Sequence, residues 1–383
     1  MKKICLLIGV ALFLWGCGAG IRAQAAQEEA ARTGAVDEFL EELDLEEIDR
    51  GFQELQGRTP LKFAELVKGF LRGEVPLTPE QGAALFEEEF FARMGENKRM
   101  AVRILVLLAA AALFTNFIYV SEKSQAADIS FYMMYLGLFT LLMQAFGGME
   151  QMTGEVLDQI IGFMKLLMPS YLLASVFASG AAAGAGFYEL TLGMILVIQW
   201  ILRYGILPAV NLYVLFSMLN HLAKEDYLSK LAELLKTFVE WSLKTLTAMA
   251  VGLQTVQCLI LPTVDALKTT TLVKSAGAVP GLGNLFGGVT EVVLGSAVLI
   301  KNAVGAAGLV FLALLCLAPL AKLGAGAFLY RLLAAAAQPV SDKRMVECVS
   351  SAGDGAALLL KVLLTVGVLF FISIAMAAAS IGG

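Results

Sequence analysis

Residues 324–380 read GAGAFLYRLLAAAAQPVSDKRMVECVSSAGDGAALLLKVLLTVGVLFFISIAMAAAS, which is two apolar runs joined by a charged stretch. The second run, from residue 358 to 380, is long enough to span a bilayer, because about 20 apolar residues in an α-helix cross the hydrocarbon core. The region between the runs collects five charged residues, namely Asp342, Lys343, Arg344, Glu347 and Asp354. This pattern of two membrane helices with a polar connector between them predicts a helical membrane protein.

The composition of the whole chain agrees with a polytopic membrane protein. Of 383 residues, 58% are hydrophobic and 16% are charged, and the mean hydropathy is +0.76. Soluble domains are about half apolar and about one quarter charged. We predict an all-α, polytopic membrane domain over residues 99–383 with about seven to nine spans. The predicted spans lie near residues 100–120, 128–148, 160–182, 188–222 (broken into two segments at Pro208), 244–261, 303–320, 322–338 and 357–379.

Two stretches of this domain do not read as simple crossings. Pro262, Pro280 and many glycines interrupt residues 262–300, which could form a re-entrant pair of half-helices shielded by protein. Residues 223–243 combine an apolar stripe with charged pairs at four-residue spacing. This pattern predicts an amphipathic helix that lies in the membrane interface or packs across other helices.

The N-terminal region reads as a signal peptide followed by an acidic exported segment. Lys2 and Lys3 precede an apolar core, and Ala23-Gln24-Ala25 is a small-x-small cleavage site, so we predict a signal peptide over residues 1–25. Residues 26–98 carry 18 Asp/Glu against 8 Lys/Arg, which argues against nucleic acid as a partner. Cleavage would leave residues 26–98 on the outer side of the membrane.

The exported segment has the periodicity of short amphipathic helices. The run AVDEFLEELDLEEIDRGFQELQ (35–56) predicts the first of them and PLKFAELVKGFLRG (60–73) the second. The third begins where Thr78 can cap a helix with Pro79 at its first position. Three short helices bury little core by themselves. We expect them to pack on each other, on the membrane domain or on a partner.

Signals for catalysis and for cofactors are absent from the sequence. His221 is the single histidine, which excludes histidine-rich metal sites, and no P-loop motif occurs. The run SAGDG (351–355) is similar to an intramembrane aspartyl protease motif, but Ser351 replaces a glycine and a second catalytic carboxylate is not evident. We therefore predict no enzymatic activity, no cofactor and no metal.

Charged residues in or beside apolar runs are the most informative feature, because charge inside a membrane is costly and usually faces protein or water. These residues are Arg103, Lys165, Arg203, Glu291, Lys301, Arg331 and Lys361. Several lie near span ends, where snorkelling to the interface is the alternative interpretation. Glu291 and Lys301 flank VVLGSAVLI and are the better candidates for a buried or pore-facing role.

The charged connector is a second candidate. Lys343 and Arg344 lie four and three residues before Glu347, so pairing along a helix could neutralise most of its charge. We predict a structured connector that docks on neighbouring helices or on another subunit; a solvated loop is the alternative. The candidate pore-facing or assembly residues are thus Glu291, Lys301, Asp342, Lys343, Arg344, Glu347 and Asp354.

The second half of the chain resembles the stage III sporulation protein AE family. The resemblance rests on VGLQTVQCLILPTVDALK (251–268), EVVLGSAVLIKNAVGAAG (291–308) and QPVSDKRMVECVSSAGDGAALLLK (338–361), with NHLAKEDYLSKLAELLKT (220–237) similar to the family's central segment. The order of signal peptide, exported segment and polytopic domain also agrees with that family.

The resemblance implies a role in endospore formation. Members lie in the mother-cell membrane around the forespore and belong to a proposed channel, or feeding tube, needed for late forespore gene expression. Implied partners are an ATPase and ring-forming exported proteins of the same operon, and stage II sporulation protein Q on the forespore side. The residues themselves leave one rival open, a stand-alone secondary transporter whose site is the broken region 262–300.

Overall fold

A computed structural model describes most of the chain. The backbone is described for residues 49–50, 62–73, 79–96, 98–119, 124–179, 181–222, 226–276 and 283–379. Side chains are described for residues 49–50, 62–73, 80–95, 98, 100–113, 129–170, 190–222, 226–253, 255–256 and 298–375. The predicted signal peptide and most of the first exported helix lie outside these residues, so both stay predictions.

The described residues are almost entirely helical and contain no strand, which confirms the all-α prediction. In chain order the helices are α1 (Phe63–Leu71), α2 (Pro79–Glu96), α3 (Lys98–Tyr119), α4 (Ser124–Ser179), α5 (Ala181–Ile201), α6 (Leu207–Leu222), α7 (Ser229–Ala276), α8 (Gly283–Ala337) and α9 (Lys343–Ala379). A π-helical turn, Leu202–Ile206, joins α5 to α6.

Four described helical stretches are long and apolar enough to cross a membrane, as in a multi-pass membrane protein. They are Ile129–Ser170, Leu190–Leu222, Val298–Ala337 and Lys343–Ala375. The predicted seven to nine spans are not confirmed. Two pairs of predicted spans, 128–148 with 160–182 and 303–320 with 322–338, each belong to one continuous helix, α4 and α8 respectively.

The stretch 149–159, which lies between two predicted spans, is helical because it contains no proline and most of its residues favour a helix. Pro319 lies inside α8 without ending it. The apolar part of α4 alone has 42 residues, so a straight helix of that length measures about 63 Å. That length is roughly twice the thickness of a hydrocarbon core.

Pro208 has a smaller effect than predicted. It does not divide residues 188–222 into two separate helices; the chain passes through the π-helical turn Leu202–Ile206 and continues as α6. Proline has no N–H to donate and its ring clashes with the carbonyl of the residue four positions earlier, so a local change of hydrogen bonding relieves the conflict.

The longest helices form one bundle with defined directions. Phe131 of α4 contacts Arg344 of α9 near the start of both helices, and nearer their ends Leu167 and Ile374 both lie within 4 Å of a Cβ added at Gly308 of α8. Thus α4 and α9 run side by side in the same direction. Helix α8 runs opposite to both, and its most extensive packing is with α9, to which residues 338–342 connect it.

Small residues allow this close packing. The Cα of Gly353 lies against Tyr330 and Arg331 of α8, so that an added Cβ would come within 3.3 Å of both side chains. Gly355 is tighter still, because an added Cβ would overlap Val214 of α6 and lie 2.8 Å from Phe146 Cε2 of α4. The glycines of the α9 sequence therefore mark where three neighbouring helices approach its backbone.

The predicted exported segment packs on the membrane domain, one of the three arrangements that the sequence left open. Helix α2 begins at Pro79, as predicted. Phe63 of α1 is fully buried, with its ring 5.9 Å from that of Phe163 and 6.0 Å from that of Phe311. Asp49 caps α1, because its carboxylate accepts the backbone N–H of Phe63 at 2.6 Å.

Residues 229–243 of the predicted interfacial helix 223–243 form the first part of the longer helix α7, whereas residues 226–228 lie before its start. Ala232, Val239 and Leu243 are buried against the bundle, whereas Leu234 and Trp241 are exposed. Of the predicted broken region, residues 262–276 continue α7 and residues 283–300 begin α8. Residues 277–282 between them lie outside the described residues, so the re-entrant arrangement stays a prediction.

Replacing Gly355 by alanine should lower the stability of the folded protein by about 1–3 kcal/mol, because overpacking forces Val214 and Phe146 to shift. Gly193 of α5 is the matched control, since no heavy atom lies within 4 Å of a Cβ added there. Gly193→Ala should leave stability unchanged or raise it by up to about 1 kcal/mol. Thermal unfolding of the detergent-solubilised variants measures both effects, and equal Tm values for the two variants would contradict this account.

Candidate functional site

The charged connector is an ordered turn that begins α9. Val340 and Ser341 donate their backbone N–H groups to the carbonyl of Ala337, which closes the turn after α8. The Asp342 carboxylate accepts the backbone N–H of Arg344 at 2.9 Å, so Asp342 caps α9. The solvated-loop alternative is therefore wrong for this stretch.

Arg344 docks on a neighbouring helix. Its guanidinium carbon lies 3.7 Å from the centre of the Phe131 ring of α4, which is a cation–π contact. One turn later on α4, the hydroxyl of the buried Tyr135 donates to the Met218 carbonyl of α6 at 2.5 Å. These contacts hold α4, α6 and α9 together at one end of the bundle.

Glu347 pairs both along its own helix and across helices. Lys343 Nζ lies 3.6 Å from one carboxylate oxygen, as the four-residue spacing predicted. His221 Nδ1 of α6 lies 3.1 Å from the other oxygen, a partner that the sequence did not suggest. Arg344 is directed away from Glu347, because Asp342 and Phe131 hold its guanidinium.

Further polar contacts follow on the same face of α9. One turn after Glu347, the Ser351 hydroxyl lies 2.8 Å from the Ser217 hydroxyl of α6. Asp354 then accepts a hydrogen bond from Arg331 Nη2 of α8 at 2.8 Å. The charge at Asp354 therefore has a partner on the adjacent helix, which lowers the cost of placing it in an apolar sequence.

Two helical turns beyond Asp354, Lys361 joins α9 to α7. Its ammonium group donates to Glu240 Oε1 at 2.5 Å. This hydrogen bond holds the pKa of the Glu240 carboxyl below its usual range. Beside it, Lys236 of α7 lies 5.9 Å from the centre of the Tyr213 ring of α6.

We call this series of groups the polar track. It comprises His221, Ser217 and Tyr213 of α6, Glu347, Ser351, Asp354 and Lys361 of α9, Arg331 of α8, and Lys236 and Glu240 of α7. The α9 members recur after four, three and seven residues, which places them on one helix face. From residue 347 to 361 the track extends for about 21 Å along the helix axis.

A second polar cluster lies between α4 and the π-helical turn. Arg203 lies 3.8 Å from Asp158, and its guanidinium occupies the space that a Cβ at Gly154 would need. On the next turn of the interface, Lys165 donates to Gln199 at 2.9 Å. Four charges predicted to lie in or beside apolar runs, Lys165, Arg203, Arg331 and Lys361, thus have partners on other helices.

The candidates Lys301 and Glu291 both belong to α8. Lys301 is buried at 1% exposure within α8. The backbone of Glu291 belongs to the same helix, but its side chain lies outside the described residues. Their functional roles stay predictions. Among the described residues no group of three His, Cys, Asp or Glu could hold a metal ion, and Cys316 and Cys348 are buried free thiols.

Sequence reasoning missed several residues of these contacts, namely Phe131, Tyr135, Tyr213, Ser217, His221 and Glu240. One signal could have found some of them, because Tyr213, Ser217 and His221 recur every four residues on one face of an apolar helix. Such a polar face has to meet other polar groups when it packs among membrane helices. Phe131 and Tyr135 carry no comparable signal.

Comparison with known proteins gives a family match over most of the chain. The family model described as Stage III sporulation protein AE matches residues 61–381. The chain is also similar to Stage III sporulation protein AE of Bacillus subtilis (strain 168), with 22% identity over 360 residues, or 92% of this chain and 88% of that protein. No solved structure matches the chain.

Reversing the charge of Arg344 should abolish function, because Arg344→Glu removes the cation–π contact with Phe131 and places two acids side by side with Asp342. Lys343→Gln is the control, since the Lys343 side chain is 87% exposed and glutamine adds no negative charge beside Glu347. We expect few heat-resistant spores from the first variant and near-normal numbers from the second. Normal spore yield from Arg344→Glu at normal protein levels would contradict the docking role.

The ion pair between Glu240 and Lys361 should show in a double-mutant cycle. Glu240→Lys and Lys361→Glu should each lower the Tm, and combining them should recover most of the loss, with a coupling energy of about 0.5–3 kcal/mol. The exchange of Lys230 and Glu233, whose side chains are 91% and 67% exposed, is the control and should change little. Additive effects of the two single substitutions would show that the pair is not coupled.

Proposed function

Because this chain belongs to the stage III sporulation protein AE family, we propose that it is a membrane subunit of a sporulation-specific channel complex. The complex links mother cell and forespore, and it is needed for late forespore gene expression and for spore formation. The family match over residues 61–381 is the observation that carries this proposal.

Features of the chain support a subunit that neither drives transport nor performs catalysis. Among its described residues four helical stretches are suited to spanning a membrane, and the ion pair of Arg331 with Asp354 joins two of them. The full sequence contains no P-loop, so in the proposed complex nucleotide hydrolysis takes place in another protein. The proposed partners are an ATPase and ring-forming exported proteins of the same operon, with stage II sporulation protein Q on the forespore side.

The proposed location is the mother-cell membrane that surrounds the forespore. With a cleaved signal peptide, residues 26–98 lie in the space between the two membranes, where forespore-side proteins are within reach. Helices α1 and α2 belong to this segment and pack on the membrane domain through Phe63 and Phe90. This packing supports a segment that couples partners outside the membrane to the membrane helices.

Deletion in the native host tests the proposal. We expect normal growth, completed engulfment, loss of late forespore transcription and few heat-resistant spores, with recovery when the intact gene is restored. Crosslinking in sporulating cells should then capture the proposed partners. Normal sporulation, or a defect in growing cells, would contradict the proposal and favour the stand-alone transporter, for which uptake assays are the next measurement.

A further inference from the structure

The polar track contains charged groups that are paired and yet remain open on the surface of the chain. The side chains of Arg331 and Asp354 are 54% and 38% exposed, and those of Lys361 and Glu240 are 43% and 33% exposed. Arg331, Asp354 and Lys361 lie within the apolar stretches Val298–Ala337 and Lys343–Ala375. If these side chains faced lipid acyl chains, their exposed atoms would lose the water that solvates them, at a cost of several kcal/mol.

The same charges do not need a partner chain to neutralise them. Arg331 is paired with Asp354, Lys361 with Glu240, and Glu347 with Lys343. A protein surface placed over the track would displace their remaining water without supplying a missing opposite charge, which is unfavourable. Water is the environment that satisfies half-exposed ion pairs at no such cost.

The track also has the length and continuity of a path. It covers about 21 Å, or roughly two thirds of a hydrocarbon core. Successive groups along α9 are one turn apart as far as Asp354. The longer interval from Asp354 to Lys361 covers two turns of α9, and Lys361 at its end is paired with Glu240 of α7.

We propose that the polar track forms the wall of a water-filled passage through the membrane part of this chain. The inference rests on the channel function proposed above and names its lining. Acidic groups (Glu347, Asp354, Glu240) alternate with basic groups (Arg331, Lys361, Lys236), so the wall has no dominant sign. The passage therefore suits small hydrated solutes that are zwitterionic or uncharged, and it does not select cations over anions.

Cysteine labelling of the full chain in membranes of sporulating cells tests the passage. Asp354→Cys and Ser217→Cys place a thiol on the track, and Ser217→Cys leaves every ion pair intact if the first variant fails to accumulate. We expect both to react with a membrane-impermeant methanethiosulfonate reagent. Met133→Cys on α4, an apolar position that is 69% exposed, should remain unreactive because it faces lipid, and Arg72→Cys, directly after α1, should react.

Among the described residues the native thiols of Cys316 and Cys348 are buried, and the unsubstituted chain gives the background reaction of all native cysteines. Failure of Asp354→Cys and Ser217→Cys to react while Arg72→Cys reacts would overturn the proposal. Equal reaction of Met133→Cys would also overturn it, because the track would then not differ from the rest of the surface. Labelling reports water access whatever the sporulation phenotype, so it can fail independently of the proposed function.

The absence of a dominant charge on the wall is tested separately with the Ser217→Cys variant. A cationic and an anionic reagent should modify this cysteine at rates within about tenfold of each other, after correction for their rates with a free thiol. A wall of a single sign would concentrate one reagent by about 10- to 1000-fold. A larger preference for either reagent would overturn the absence of charge selectivity.

Discussion

A charged side chain in an apolar helix has to find an opposite charge or water, and the packing of this bundle depends on that requirement. Lys361 reaches Glu240 of α7, Arg331 reaches Asp354 of α9, and Arg203 reaches Asp158 of α4. Each pair joins two different helices, so the pairs restrict which faces meet and at what axial offset. The apolar contacts around them are adaptable by comparison, because many hydrophobic surfaces can pack together.

Close approach of the helices makes these pairs geometrically possible. Helix α9 contacts α8, α6 and α4 through glycines at positions 353 and 355, where an added methyl group would meet neighbouring side chains. The aromatic contact between Arg344 and Phe131 then fixes the start of α9. The charged connector that interrupts the apolar sequence is thus a structural junction at one end of the polar track.

The arrangement separates two tasks along one helix. The start of α9 docks on α4 and α6, and the middle of α9 presents half-exposed ion pairs to its surroundings. In the proposed complex the first task positions the subunit, and the second provides a surface compatible with water. A chain without its own motor can contribute to transport in this way, because a hydrated wall requires no energy source.

The sequence by itself determined the helical class, the membrane character, the helix start at Pro79 and the family, because hydrophobic periodicity, capping residues and long motifs are local properties of the chain. It also identified Arg331 and Lys361 as charges whose burial in a membrane costs free energy. Only the tertiary structure decided their partners, Asp354 and Glu240, which lie 23 and 121 residues away. Pairing at that separation depends on how the helices pack, so it cannot be inferred from a local sequence pattern. For the same reason, spans predicted from the sequence ended within α4 and within α8, where helix propensity and packing on neighbouring helices keep the backbone continuous.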